Sequence, residues 1–196
     1  MTQRRTILIA VAALCFAAAG TTLAVLWSGA LSGTQAAGLG AGDYRLETTD
    51  GGTFTEGRLK GRPTAVFFGF THCPDVCPTT MAEMVSWYEA LGPAGDDLQS
   101  FFVTVDPERD TLDMLRQYVE WTGHVVGVSG SVEEAEKARA AFNVFAAKVP
   151  TEDGNYTMDH TASVFLMDRD GTFAGTIPYS EDPDIAVAEL RELVAG

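Results

Sequence analysis

Cysteine is scarce in this 196-residue chain, occurring at positions 15, 73 and 77 only. The usual four-ligand structural zinc site is therefore out of reach of the cysteines alone, since no second close pair exists. Histidine is equally sparse, with His72, His124 and His160. Basic residues are few: 13 Lys and Arg stand against 27 Asp and Glu, for a formal charge of −14. A chain this acidic is repelled by phosphate backbones, which argues against a nucleic-acid partner. Hydrophobic residues make up 46% and charged residues 20%, so wholesale disorder is not expected. The length suits one compact domain.

The charge is also unevenly placed. Arg4 and Arg5 are the only charged residues before position 41, so the remaining 11 basic and 27 acidic residues put −16 on residues 41–196. Residues 6–27 carry no charge at all. As a helix they would span roughly 33 Å, enough for the hydrocarbon core of a bilayer and longer than the apolar part of a cleavable signal peptide. The two arginines before this stretch, and none after it until Arg45, predict a cytoplasmic N-terminus at residues 1–5. The expected layout is a transmembrane anchor over 6–27, a flexible Gly/Ala/Ser-rich tether over 28–42 and a folded domain over 43–196. Cys15 lies inside the anchor and reads as a small apolar residue facing lipid. A bacterial cytoplasmic membrane with the domain on its periplasmic side is the simplest placement.

After the tether, strand and helix patterns alternate. Thr64–Phe68 is a continuous apolar run suited to a strand buried on both faces. Met81, Met84, Val85, Tyr88 and Leu91 then recur at helical spacing, with Pro78 in the first turn. Phe101–Val105 and Val125–Val128 read as strands, and Leu112, Leu115 and Val119 as a helix between them. Ser131 and Glu134 make a capping-box pattern opening a helix that runs through Phe142. Ala162–Met167 and Thr172–Ile177 flank Asp170–Gly171, a hairpin signal, and Asp182–Pro183 opens a last helix. This α/β order, closed by a hairpin and a helix, predicts a thioredoxin-like sandwich.

The chemistry gathers where the first strand ends, in Gly69-Phe70-Thr71-His72-Cys73-Pro74-Asp75-Val76-Cys77-Pro78. Open α/β sheets place ligand sites at such strand ends, and the following helix N-terminus favours a thiolate. Three readings are open for the pair: a structural disulfide, a redox couple or a metal site. A bridge across so short a loop restrains little of the unfolded chain. Redox pairs of the thioredoxin type use C-x-x-C, whereas three residues intervene here. Soft thiolates suit Cu(I), and an added imidazole makes a site that also holds Cu(II).

His160, in Asp159-His160-Thr161 just before the Ala162–Met167 strand, is the candidate imidazole. In a thioredoxin-like sheet the loop before that strand faces the cysteine turn, and where thioredoxins carry a proline this chain has a histidine. Asp159 could orient its ring or simply be a surface charge. His72, next to Cys73, points elsewhere, and His124 reads as an exposed loop residue. Met81 and Met84 are expected in the core, and Met158 is left open. Val105-Asp-Pro-Glu-Arg-Asp-Thr111 reads either as turn chemistry or as a segment by which Asp106 or Arg109 shapes the rim of the site.

G-F-T-H-C-P-D-V-C-P (69–78), V-D-P-E-R-D-T (105–111) and Y-T-M-D-H-T (156–161) together resemble the Sco/SenC family. Its members are membrane-anchored, thioredoxin-like proteins that deliver copper to cytochrome c oxidase. The resemblance implies copper ligands at Cys73, Cys77 and His160. Phe70 and Thr161 stand where relatives often carry Tyr and Ser. It implies a metallochaperone, rather than an enzyme, that loads the dicopper centre in the oxidase's copper-binding subunit. A periplasmic copper donor or thiol reductase would be a further partner. The alternative is a thiol–disulfide reductase in which Cys73 and Cys77 keep the oxidase's ligand cysteines reduced. The acidic domain would be steered towards a basic patch on its donor or target.

Overall fold

The structure, a computed structural model, describes residues 38–196. The expected anchor and most of the expected tether lie outside the described residues, and no helix among those described is long and apolar enough to cross a membrane.

Seven strands form the main sheet, in the order β2 (Thr53–Phe54), β1 (Leu46–Thr48), β5 (Val125–Ser129), β4 (Gln99–Thr104), β3 (Thr64–Gly69), β8 (Val164–Met167), β9 (Phe173–Ile177). Strands β3, β4 and β5 run parallel, while β1 joins β5 and β8 joins β3 antiparallel. All six residues of β3 are buried, as its unbroken apolar run demands. A separate two-stranded ribbon pairs β6 (Ala146–Pro150) with β7 (Tyr156–His160). The helices are α1 (Val76–Leu91), α2 (Leu112–Val119), α3 (Val132–Ala141) and α4 (Pro183–Ala195). This is the expected thioredoxin-like arrangement of a mixed sheet and helices.

The helix starts follow from their capping side chains. Thr111 accepts from the Met114 amide, Ser131 from the Glu134 amide and Asp182 from the Asp184 amide. The capping box at α3 is only half closed, because the Glu134 carboxylate takes the Arg45 amide at 2.6 Å instead of returning to Ser131. The β8–β9 turn is held by the Asp168 carboxylate, which accepts from the Asp170 and Thr172 amides, with Gly171 at φ +77°.

Met81 and Met84 are fully buried in the core, as expected. Phe68, Phe142 and Phe165 pack ring to ring at 5.2–6.1 Å between sheet and helices. Burying each such side chain contributes on the order of 1.5–3 kcal/mol. Residues 38–42 join this body: the Gly40 amide bonds the Ala141 carbonyl at 2.9 Å, and the Tyr44 hydroxyl donates to the Gly40 carbonyl.

Candidate metal centre

Strand β3 ends at Gly69, the chain turns through Cys73, and Cys77 enters the first turn of α1. The turn is tight enough that the Cys77 amide reaches Cys73 Sγ at 3.4 Å. Gly69 makes room for it, since a methyl group there would stand 2.9 Å from Cys77 Sγ and 2.8 Å from the Phe102 ring. Both cysteines are free thiols, Cys77 buried and Cys73 half-buried.

His160 approaches from the opposite side. It is the last residue of strand β7, not part of a loop as the sequence suggested, and the next strand starts only at Val164. Its ring lies between Phe67 and Phe70, with centroids 6.3 and 5.7 Å away. Nδ1 sits 2.9 Å from the Thr161 carbonyl, which can only accept, so Nδ1 carries the proton. Nε2 is thereby left with its lone pair directed at the sulfurs, 3.5 Å from Cys77 Sγ. Asp159 is exposed, one residue along the strand and therefore on the other face, so the Thr161 carbonyl orients the ring.

One ligand atom from each of Cys73, Cys77 and His160 lies within 4.8 Å of the other two. That is about the span across one soft ion bonded at roughly 2.0–2.3 Å to each. His72 is exposed and turns its Nδ1 to the Thr71 hydroxyl at 3.0 Å. His124 is exposed and stacks on Tyr88 at 4.1 Å. Met158 is buried on the same strand, and its neighbours are Val105, Asp106, Ala135 and Arg139 around a small cavity.

The two thiols are made unequal by their surroundings. The Cys77 thiol donates to Cys73, and the Cys77 and Asp75 amides point at the same sulfur. These outweigh partial burial and pull the Cys73 thiol down to about 4. Cys77, as the donor and the more buried group, is pushed up. In the reduced, metal-free protein, iodoacetamide is expected to label Cys73 and not Cys77 at pH 6. Its rate should fall only as the pH drops through about 4, where the thiolate is protonated. Cys77→Ala removes the thiol donor and is expected to move that midpoint up, which mass spectrometry of alkylated peptides across a pH series reads directly.

The segment 105–111 does more than turn the chain. Arg109 and Asp110 amides both bond the Asp106 carbonyl, closing the turn. Asp110 is fully buried, and its carboxylate accepts from the Thr71 amide at 3.0 Å, the Thr71 hydroxyl at 2.6 Å and the Thr104 hydroxyl at 2.7 Å. It thus ties the cysteine turn to the end of β4. Asp106, also buried, pairs with Arg109 and accepts from the Tyr156 hydroxyl at 3.0 Å. The motifs 105–111 and 156–161 contain Asp110 and Tyr156 but do not disclose these contacts. The signal available for Asp110 was a second aspartate four residues after Asp106, just past a buried strand.

A thioredoxin-like fold with two cysteines at the end of an interior strand and a facing histidine defines a class of thiolate–imidazole metal-binding domains. Comparison narrows the class. The SCO1/SenC family model matches residues 32–195, and the chain belongs to that family. The Rickettsia felis SCO2-like protein is 34% identical over 158 residues, covering 79% of this chain and 75% of the relative. A zebrafish (Danio rerio) mitochondrial SCO2 homolog is 38% identical over 139 residues, 69% of this chain. The chain spans about half the length of that protein and of an Arabidopsis thaliana mitochondrial SCO1 homolog. Among solved structures, copper-bound ScoI of Bradyrhizobium japonicum superposes with a TM-score of 0.72 at 42% identity, covering 79% of this chain and 99% of the other. Copper-bound yeast Sco1 superposes at 0.73 with 30% identity, covering 81% and 90%.

Proposed function

We propose that this chain binds copper through Cys73, Cys77 and His160 and delivers it to the dicopper centre of cytochrome c oxidase during assembly. The observation that carries this reading is the convergence of two thiols and a deprotonated Nε2 within 4.8 Å. Two relatives of the same fold, at 42% and 30% identity, were solved with copper bound. Thiolates hold Cu(I), and the imidazole extends the site to Cu(II). Copper bound by Cys73 at the surface can pass to an acceptor by exchange of one ligand at a time, while buried Cys77 stays attached longest. The domain would work outside the cytoplasmic membrane, held there by residues 6–27.

A second reading rests on the same pair. A low-lying, half-exposed Cys73 beside a high-lying Cys77 is the pattern of an attacking and a resolving thiol. The Cys73 thiolate would attack a disulfide in the oxidase's copper-binding subunit, and Cys77 would then displace the mixed disulfide. The target gains two thiols as Cys73 and Cys77 become a disulfide.

One experiment separates the two. The full-length protein in detergent, reduced and loaded with Cu(I), is mixed with the metal-free copper-binding domain of the oxidase subunit, its cysteines either reduced or oxidised. Delivery predicts that copper moves to the reduced acceptor. Reduction predicts that the oxidised acceptor regains its thiols, with a stoichiometric Cys73–Cys77 disulfide, even without copper. Failure of the wild-type protein to bind copper at all overturns the first reading.

A further inference from the structure

The two halves of the site hang from different parts of the fold. The cysteine turn grows out of the seven-stranded sheet, whereas His160 ends a two-stranded ribbon that is not hydrogen-bonded to that sheet. Such a ribbon is marginally stable by itself. What holds it in place decides where the imidazole stands.

Arg109 makes the most extensive of these ties. Its Nη1 donates to the Tyr156 carbonyl at 2.9 Å, and its guanidinium lies 3.7 Å from the centre of the Tyr156 ring. The same guanidinium is 6.0 Å from the ring of Phe70, which stands edge-on to His160. Asp106 pairs with Arg109 and takes the Tyr156 hydroxyl, so the arginine is fixed from behind. The next residue, Asp110, holds Thr71 in the cysteine turn. One five-residue segment therefore grips both halves. Arg139 also touches the ribbon, at the Ala146 carbonyl 3.3 Å away, but through α3 and without a link to the cysteine turn.

We propose that Arg109 is the positioning residue that sets the gap between the cysteine pair and His160, and so the preference of the site for Cu(II) over Cu(I). This rests on the copper reading given above. Cu(I) is content with two soft thiolates, whereas Cu(II) depends on the imidazole. Loosening the ribbon should therefore weaken the oxidised state selectively.

The test uses the full-length protein in detergent. Arg109→Lys keeps a charge opposite Asp106 but loses the planar stack and the forked donor. It is expected to weaken Cu(II) binding about tenfold, with Cu(I) binding changed less than about threefold. A tenfold selective loss of Cu(II) raises the potential of the bound copper couple by about 59 mV. Arg109→Met should act in the same direction and further, and if it does not fold the lysine variant decides. In the metal-free protein, amide exchange over Tyr156–His160 should quicken about tenfold in the lysine variant while the amides of the cysteine turn keep their wild-type rates. Equal losses of Cu(I) and Cu(II) affinity, or unchanged exchange in the ribbon, would overturn the proposal. A wild-type protein that bound no copper would defeat the copper reading, and the exchange rates would still decide whether Arg109 holds the ribbon.

Discussion

Cys77→Ser is expected to weaken Cu(I) binding by roughly 10²–10³-fold while leaving the domain folded. Structural metal sites with four ligands bind with about 10–16 kcal/mol, or about 2.5–4 kcal/mol for each ligand, and 1.4 kcal/mol is a factor of ten. The serine oxygen is a hard donor and does not replace a thiolate towards Cu(I). Cys77 is fully buried and its sulfur is within reach of both Cys73 and His160, so no water takes its place without opening the core beside Phe102. Cys73→Ser should lose a similar amount. His160→Ala should cost Cu(I) far less but abolish the thiolate-to-Cu(II) charge-transfer band. Competition with a chromophoric Cu(I) chelator measures the first effect, and Cu(II) titration by absorbance measures the second. An unchanged Cu(I) affinity in Cys77→Ser would remove Cys77 from the site.

The readability of these ligands in the sequence has a physical basis. The cysteines follow a fully apolar strand and precede a helix start, a local arrangement that already places them at a strand end. His160 was reachable because its place in chain order, before the strand that pairs with β3, puts it opposite that end. Its exact setting was not. The strands Ala146–Pro150 and Tyr156–His160 contain a proline, a lysine and an aspartate and show no clean apolar alternation. Met158 is their one buried residue, and the ribbon is otherwise held by Arg109 on Tyr156 and by the Lys148–Glu108 ion pair. Periodicity therefore has nothing to detect. The same applies to β1 and β2, three and two residues long.

Asp110 illustrates the other limit. Directly before the capping Thr111 it reads as helix-start chemistry, and Thr111 does cap α2. Its carboxylate, however, serves Thr71, which lies 39 positions earlier. A long-range partner of this kind leaves no trace in spacing. Asp106 and Arg109 read from the sequence as residues that could shape the rim of the site. Their direct contacts run to the ribbon, through Tyr156.

Asp110→Ala is accordingly expected to cost about 3 kcal/mol of stability, which for a domain of this size lowers the melting temperature by roughly 6–12 °C. The carboxylate satisfies three donors, and the two hydroxyls can turn to other partners, but the Thr71 amide cannot. A buried amide left without an acceptor costs on the order of 1–3 kcal/mol, and the space vacated adds a cavity. Removing a desolvated charge offsets part of this, because the nearest cationic group is His72 at 3.8 Å, which is charged only when protonated. Asp110→Asn keeps the shape and one acceptor oxygen, so it should lose less than half as much. Thermal unfolding followed by circular dichroism checks both variants, and a melting temperature within about 2 °C of wild type for Asp110→Ala would show that the turn is held by other bonds. Because Thr71 leads into the cysteines, the alanine variant should also blunt the thiolate of Cys73. The freed turn no longer keeps the Cys77 amide and thiol aimed at that sulfur, so alkylation of Cys73 at pH 6 should slow together with the loss of stability.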